Sequence, residues 1–242
     1  MNPLALLRAL RPHQWVKNGF VLAAVVFAKA QEGAALTLED SAVRSSLFAL
    51  AAFCLGASAI YLINDVLDVE NDRRHPEKCK RPIAAGEVSV PVAFVFAAIC
   101  AAAAVMLARE AGEHSQSVIV LLVCYMGLNI AYSLRLKHVV IVDAFCIAAG
   151  FLLRVEAGGS AASAPISRWL MLCTLFLALF LALCKRRAEC DLLGEAKAEC
   201  CHRLLDLRNS HFGTSGQTAW KHNAGVTLKL LRRLQSLATL SP

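Results

Sequence analysis

The sequence predicts an all-α protein, a polytopic bundle of transmembrane helices. Three observations carry this. Of 242 residues, 57% are hydrophobic and only 18% charged, where a soluble domain carries about a quarter charged residues. The apolar residues fall in long uninterrupted runs rather than periodic stripes, with a mean hydropathy of +0.55. The surplus of Lys and Arg, 25 against 18 Asp and Glu for a net charge of +7, collects between alternate runs, as cytoplasmic loops do. Together these exclude a soluble globular enzyme, a disordered chain and a repeat solenoid. They also make the basic balance a matter of membrane orientation and not of a nucleic-acid partner. No cleavable signal peptide is expected, because more apolar runs follow the first and no small-residue cleavage site does.

A bilayer core needs about 20 apolar residues per helix. The expected spans are roughly 18–36, 42–63, 89–108, 116–133, 139–157 and 166–184. The first is the weakest, because Lys29, Gln31 and Glu32 interrupt it. The fifth is unusual in containing Asp143 and Arg154. Basic residues follow at Arg8, Arg11 and Lys17, at Arg73, Arg74, Lys78, Lys80 and Arg81, at Arg135 and Lys137, and at Lys185-Arg186-Arg187. Six spans put all of these on one face, which the positive-inside rule assigns to the cytoplasm together with the amino terminus. Of the ten cysteines, Cys54, Cys100, Cys124, Cys146, Cys173 and Cys184 are scattered through apolar runs and read as buried small hydrophobes. Cys200-Cys201-His202 lacks the spacing of a zinc site.

The sharpest chemical signal is Asn64-Asp65-Val66-Leu67-Asp68-Val69-Glu70-Asn71-Asp72, directly after the apolar run AAFCLGASAIYLI. At about 100° per residue, Asn64, Asp65, Asp68 and Asp72 share an arc of roughly 100° if the helix continues. Three carboxylates and an amide on one face repel one another in a low dielectric, and a cation relieves that. Oxygen-only ligands favour a hard ion, and Mg²⁺ commonly uses one or two carboxylates plus substrate phosphates. A solvated acidic helix end is the bland alternative. The following stretch, Arg73 to Gly86, holds Pro76, Pro82 and Gly86 among its basic residues and is a loop. Carboxylates that bind Mg²⁺ beside Lys and Arg form a site for a polyphosphate, suited to stabilising a departing diphosphate.

Further polar groups arrive on the same face. Lys17-Asn18 opens the first span; Asn129, Tyr132, Ser133, Arg135 and Lys137 close the fourth; Lys185, Arg186, Arg187 and Glu189 close the sixth. Asp143 lies about one turn inside the fifth. An ionisable residue within a span is a functional candidate by default, its alternative being a structural pair with a Lys or Arg. Arg154 lies about 16 Å further along the helix, towards the outer face, where it can snorkel. Tyr61 and Tyr132 read equally as interfacial anchors.

These pieces together resemble a known family. Arg11-Pro12-His13-Gln14-Trp15-Val16-Lys17-Asn18, then Asn64-Asp65-Val66-Leu67-Asp68 to Asp72, then Lys80-Arg81-Pro82-Ile83-Ala84 resemble the UbiA-type membrane transferase superfamily. The details are most similar to its decaprenyl-phosphate phosphoribosyltransferase branch. Tyr132-Ser133-Leu134-Arg135-Leu136-Lys137, Asp143, Gly150-Phe151-Leu152-Leu153-Arg154 and Lys185-Arg186-Arg187-Ala188-Glu189 support this, and the likeness covers about residues 5–208. The resemblance implies transfer of 5-phosphoribosyl from 5-phosphoribosyl 1-diphosphate to a long polyprenyl phosphate, with release of diphosphate, early in making the lipid-linked arabinose donor for cell-wall arabinan. It implies a bacterial plasma membrane, a cytoplasmic site and, as partners, those two substrates and the bilayer. A homo-oligomer is compatible with it.

On that resemblance Asp65, Asp68 and Asp72 are the catalytic candidates, and with Asn64 they would hold Mg²⁺ and the sugar diphosphate. Lys17, Lys80, Arg81 and Lys137 would bind phosphates. Asp143 would orient a ribose hydroxyl or a Lys. Lys185, Arg186 and Glu189 resemble the second functional loop of the family. Tyr61, Arg73, Asn129 and Tyr132 complete the candidate substrate-binding set. The resemblance also implies about nine spans, whereas no apolar run of spanning length follows residue 187. The expected division is a transmembrane bundle over 1–187 and a polar loop with a divergent tail over 188–242, with 226–240 able to form a basic amphipathic helix. From about Asn209 the tail does not resemble the family and reads as a truncation or a shifted frame. Two other readings stay open: a UbiA-type prenyltransferase acting on an aromatic, quinone or haem precursor, and a truncated, non-catalytic membrane protein.

Overall fold

A computed structural model describes residues 3–74, 78–134 and 140–184. Among these, every regular element is helical. The chain opens with α1 (Pro3–Ala9), whose Ala5 and Ala9 are buried one turn apart. It turns at Arg11, whose backbone is left-handed at φ 53°. A long 3-10 helix follows over Pro12–Leu22. At three residues per turn, Trp15, Asn18 and Val21 line up on one face. Asn18 and Val21 are fully buried there, while His13, Val16 and Gly19 are exposed.

The chain then continues as α2 (Ala23–Glu32), which Gly33 ends at φ 64°. The first expected span is therefore a two-part element, shifted towards the amino terminus. Its combined rise is about 37 Å, enough for a bilayer core. The physical reason for its early end is polarity: Lys29 meets Glu32 at 2.9 Å and Asp40 at 2.7 Å, which ties this end to the next helix outside the apolar layer.

The central helix is α3 (Ser41–Leu67). Asp40 caps it, its Oδ1 accepting from the Ala42 N–H at 2.8 Å. Small residues let its neighbours approach: Ala49, Ala52, Ala57 and Ala59 are buried with Phe53 and Ile60. The short α4 (Val69–Arg74) resumes almost without a break, because Asp68 N–H bonds Asn64 O at 2.9 Å and Asp72 N–H bonds Asp68 O at 2.8 Å.

Three more long helices pack around this core. α5 (Val90–Arg109) turns a row of Ala93, Ala97, Cys100, Ala104 and Ala108 inward; α6 (Ser115–Leu134) buries Val118, Leu122 and Tyr125; α7 covers Val140–Ala162. The apolar residues facing outward, such as Phe94, Ile99, Met106 and Val123, make the lipid-facing shell a bilayer requires. The last helix among the described residues, α8, covers Arg168–Cys184.

Among the described residues four helices, α3, α5, α6 and α7, are long and apolar enough to cross a membrane. These match four of the six expected spans. The other two are the split first element and α8, which begins at Arg168 after the irregular chain of Pro165 to Ser167 and is described to Cys184. The cysteine expectation holds in part. Cys54 and Cys100 are buried, but Cys124, Cys173 and Cys184 lie on the outside of the bundle, where an apolar thiol suits lipid as well as it suits a core. Residues 188–242, with the amphipathic segment expected at 226–240, lie outside the described residues.

Candidate active site

The carboxyl-terminal end of α3 gathers the acidic residues. Asp65 and Asp72 are seven residues apart on the nearly continuous α3–α4 path, two turns on one face. Both are about 97% buried, at 3% exposure. Arg81 reaches in from the loop, and its Nη1 donates to Asp72 Oδ2 at 2.6 Å and to Asp65 Oδ1 at 3.2 Å. Arg11 donates from Nη2 to the same Asp65 Oδ1 at 2.5 Å, with its guanidinium 5.2 Å from the centre of the Tyr61 ring. Two guanidinium charges thus offset two buried carboxylates, as burial of charge demands. Asp68 is half-buried between them in sequence.

The surroundings explain how each group is held. Ile83 and Val88, both 1% exposed, anchor the loop into a cluster with Leu62, Val66, Ala5, Ala9, Ala93 and Ala97. Arg73 braces the same loop: its Nε donates to Ala84 O at 3.3 Å and its Nη1 meets the Glu70 carboxylate at 3.2 Å. Arg8 pairs with Glu87 at 2.5 Å. The turn before Arg11 is fixed by Ser58, whose Oγ donates to Leu10 O at 2.9 Å and accepts from Trp15 Nε1 at 3.0 Å.

Two atoms stand out by what they lack. Asn64 Oδ1 and Asp65 Oδ2 are buried with no hydrogen-bond partner among the described residues. Buried acceptors without donors are rare, and each calls for a partner. Adjacent amide and carboxylate oxygens of this kind suit a hard cation, so the donor set fits Mg²⁺. A complete metal cage is another matter: among the described residues no three Asp, Glu, His or Cys side chains come together closely enough to hold an ion. The expected four-oxygen cluster is interrupted because Arg81 stands between Asp65 and Asp72.

The remaining expected residues divide. Tyr61 lies under Arg11. Lys17 is exposed on the 3-10 helix and Lys80 on the loop turn. Tyr132 donates from its hydroxyl to Asp143 Oδ1 at 2.5 Å, and Asp143 is 1% exposed. The pair joins the carboxyl-terminal end of α6 to the amino-terminal end of α7, so Tyr132 is not a simple interfacial anchor. Asn129 spends its amide on its own helix, Nδ2 donating to Tyr125 O at 2.7 Å. Lys137, Lys185, Arg186 and Glu189 lie outside the described residues.

Sequence reasoning misplaced Arg154 and overlooked Arg11 as a site residue. Arg154 does not snorkel to the outer face; it is 6% exposed inside the bundle. Its Nε donates to Asn18 Oδ1, its Nη1 to Gly150 O and its Nη2 to Tyr125 Oη, each at 2.8 Å. The Tyr125 and Phe151 rings lie 4.5 and 5.4 Å away. The physical reason is that neutral oxygens and aromatic faces solvate the cation where water cannot. The available signal was Asn18 in one span and Tyr125 in another, polar groups at similar depth. For Arg11 it was a charged residue just ahead of Pro12.

An all-helical bundle with several spanning helices and a carboxylate–guanidinium cluster at one end of its central helix defines a multi-pass membrane protein. The chain belongs to the UbiA prenyltransferase family, whose model matches residues 19–199. It is 41% identical over 206 residues to a decaprenyl-phosphate phosphoribosyltransferase of Mycolicibacterium smegmatis, covering 85% of this chain and 63% of the relative. It is 41% identical over 184 residues to the protein of that name from Corynebacterium glutamicum, covering 76% and 54%. The Mycobacterium tuberculosis protein of that name is 39% identical over 186 residues, covering 76% and 60%. These relatives fall in the branch the sequence pieces resemble. The chain spans between 54% and 63% of their length. Among solved structures, a UbiA homolog from Archaeoglobus fulgidus bound to DMAPP and Mg²⁺ superposes with a TM-score of 0.58 at 24% identity, over 72% of this chain and 60% of that one. That likeness is one of fold.

Proposed function

We propose that this chain carries the transferase site that moves 5-phosphoribosyl from 5-phosphoribosyl 1-diphosphate to a polyprenyl phosphate, releasing diphosphate for cell-wall arabinan precursor synthesis. The reading places the site at the cytoplasmic face of a bacterial plasma membrane. The observation that carries it is the buried Asp65–Arg81–Asp72 cluster with Arg11 and two unpartnered oxygens, in a chain 41% identical to proteins of that name.

The chemistry asks little of a base. An oxygen of the acceptor phosphate, already ionised near neutral pH, forms the new bond to ribose C1. The C1–oxygen bond to diphosphate breaks, and diphosphate leaves with the electron pair. No proton has to move. Positioning and charge neutralisation are what the protein contributes. Asn64, Asp65, Asp68 and Asp72 would hold Mg²⁺, which when bound supplies neutralisation of the diphosphate oxygens. Lys17, Lys80, Arg81 and Lys137 bind phosphate groups, with Lys185, Arg186 and Glu189 at the second functional loop. Asp143, fixed by Tyr132, accepts a ribose hydroxyl. The apolar helix faces hold the isoprenoid tail.

A substrate panel tests this. The purified chain in lipid, given Mg²⁺, should form a phosphoribosyl lipid from the sugar diphosphate and polyprenyl phosphate, and should not prenylate aromatic acceptors from prenyl diphosphates. Asp68→Ala should abolish the product. Prenylation of an aromatic acceptor without phosphoribosyl transfer would overturn the reading.

A further inference from the structure

We infer that Arg11 is a further diphosphate-binding residue, one that neutralises Asp65 until a divalent cation takes that carboxylate and then passes to the donor's diphosphate. The inference rests on the reading just given and assigns a new residue to its site.

Charge balance is the starting point. Asp65 and Asp72, each 3% exposed, are matched one for one by Arg11 and Arg81. With the half-buried Asp68, a ligand of the same cation, counted as well, a divalent cation added to this set still leaves an excess positive charge. That excess is costly in a low dielectric unless an anion arrives or a guanidinium departs. A diphosphate supplies the anion. Each guanidinium then has a better partner than a shared carboxylate, since phosphate oxygens accept two parallel N–H bonds from an Arg.

Arg11 is the one of the two built to transfer. Arg81 bridges two carboxylates, whereas among the described residues the ion pair of Arg11 is to Asp65 alone. The Arg11 side chain is 22% exposed, against 3% for Asp65. The Tyr61 ring beside it, 5.2 Å from the guanidinium carbon, gives a flat shelf across which the group can pivot without losing its aromatic contact. Asp65 meanwhile keeps Oδ2 buried without a hydrogen-bond partner, as does Asn64 Oδ1. The carboxylate can therefore engage a cation before Arg11 has left. The left-handed backbone at Arg11, φ 53°, sets the side chain at the junction of α1 and the 3-10 helix rather than along either.

The test separates competition from support. Mn²⁺ alone is titrated into the 242-residue chain and followed by electron paramagnetic resonance, and inorganic diphosphate binding is then measured at saturating Mn²⁺. Arg11→Gln should bind Mn²⁺ alone roughly tenfold more tightly than the unaltered chain, because a competing cation is gone. The same variant should bind diphosphate roughly tenfold more weakly, and its KM for the sugar diphosphate should rise while the KM for polyprenyl phosphate stays put. Arg11→Lys, which keeps the charge and loses the fork, should leave Mn²⁺ affinity near that of the unaltered chain and weaken diphosphate binding severalfold. A merely structural Arg11 would weaken Mn²⁺ and diphosphate together, and that result overturns the inference. So does unchanged diphosphate binding in Arg11→Gln. Opposite shifts in Mn²⁺ and diphosphate affinity, in a chain that transfers no phosphoribosyl group, would uphold the exchange at Arg11 and overturn the assigned reaction.

Discussion

Arg154 shows how a single side chain sets the polar interior of the bundle. It satisfies Asn18 Oδ1, Gly150 O and Tyr125 Oη at once, and through Asn18 it fixes the 3-10 helix against α7. Removing the guanidinium leaves Asn18 and Tyr125 buried without that donor. Arg154→Met should therefore cost on the order of 3 kcal/mol of stability. Thermal unfolding in detergent reads this, and an unchanged melting curve would mean the network contributes nothing net. This arrangement was only half legible in the sequence. Asp143 announced itself as a carboxylate inside a span, and it is buried against Tyr132 as such a group must be. Arg154 carried the same warning, but its depth along the helix suggested a route to the outer surface. Only the packing of Asn18 and Tyr125 against it shows that the bundle itself solvates the charge.

At the scale of elements, close approach decides the geometry. A Cβ placed on Gly158 of α7 would stand 1.8 Å from the carbonyl oxygen of Val21, so glycine is what lets α7 touch the 3-10 helix. Gly158→Ala should force the two apart and destabilise the bundle by roughly 1–3 kcal/mol, again measured by thermal unfolding. It should also disturb the Arg154–Asn18 bond that crosses the same contact. The Asp40 cap at the start of α3 is sensitive to acid. Its carboxyl is held below the ordinary value of 3.8, first by the hydrogen bond from Lys29, then by the Ala42 N–H. A lowered folded-state value gives stability that is complete above the ordinary carboxylate range and is lost as pH falls through the lowered value. Asp40→Ala should thus melt earlier than the unaltered chain at pH 7, and the gap should close in acid below the ordinary range. A gap that persists there would show the cap is not electrostatic. Four of six spans could be read from apolar runs alone. The 3-10 form of the opening segment could not, because its cause is tertiary: the three-residue repeat of Trp15, Asn18 and Val21 fits the surface offered by α3 and α7.

For the whole molecule, the family and the acidic signature were legible because they reside in contiguous motifs. The actual occupants of the carboxylates were not. Asp65 and Asp72 were expected to share an ion, and the structure has Arg11 and Arg81 on them, residues 54 and 16 positions from Asp65 in the chain. Periodicity reports which groups share a helix face; it says nothing of what reaches that face from a distant loop. The central claim is that this end of the bundle is where diphosphate departs from ribose. Its most direct measurement is the release of diphosphate from 5-phosphoribosyl 1-diphosphate, with polyprenyl phosphate present or absent, over a Mg²⁺ titration, in the unaltered chain and in Asp65→Asn and Asp72→Asn. Release should require both acceptor and Mg²⁺ and should fall about 100-fold or more in each variant. Release at an undiminished rate from either variant would contradict the account.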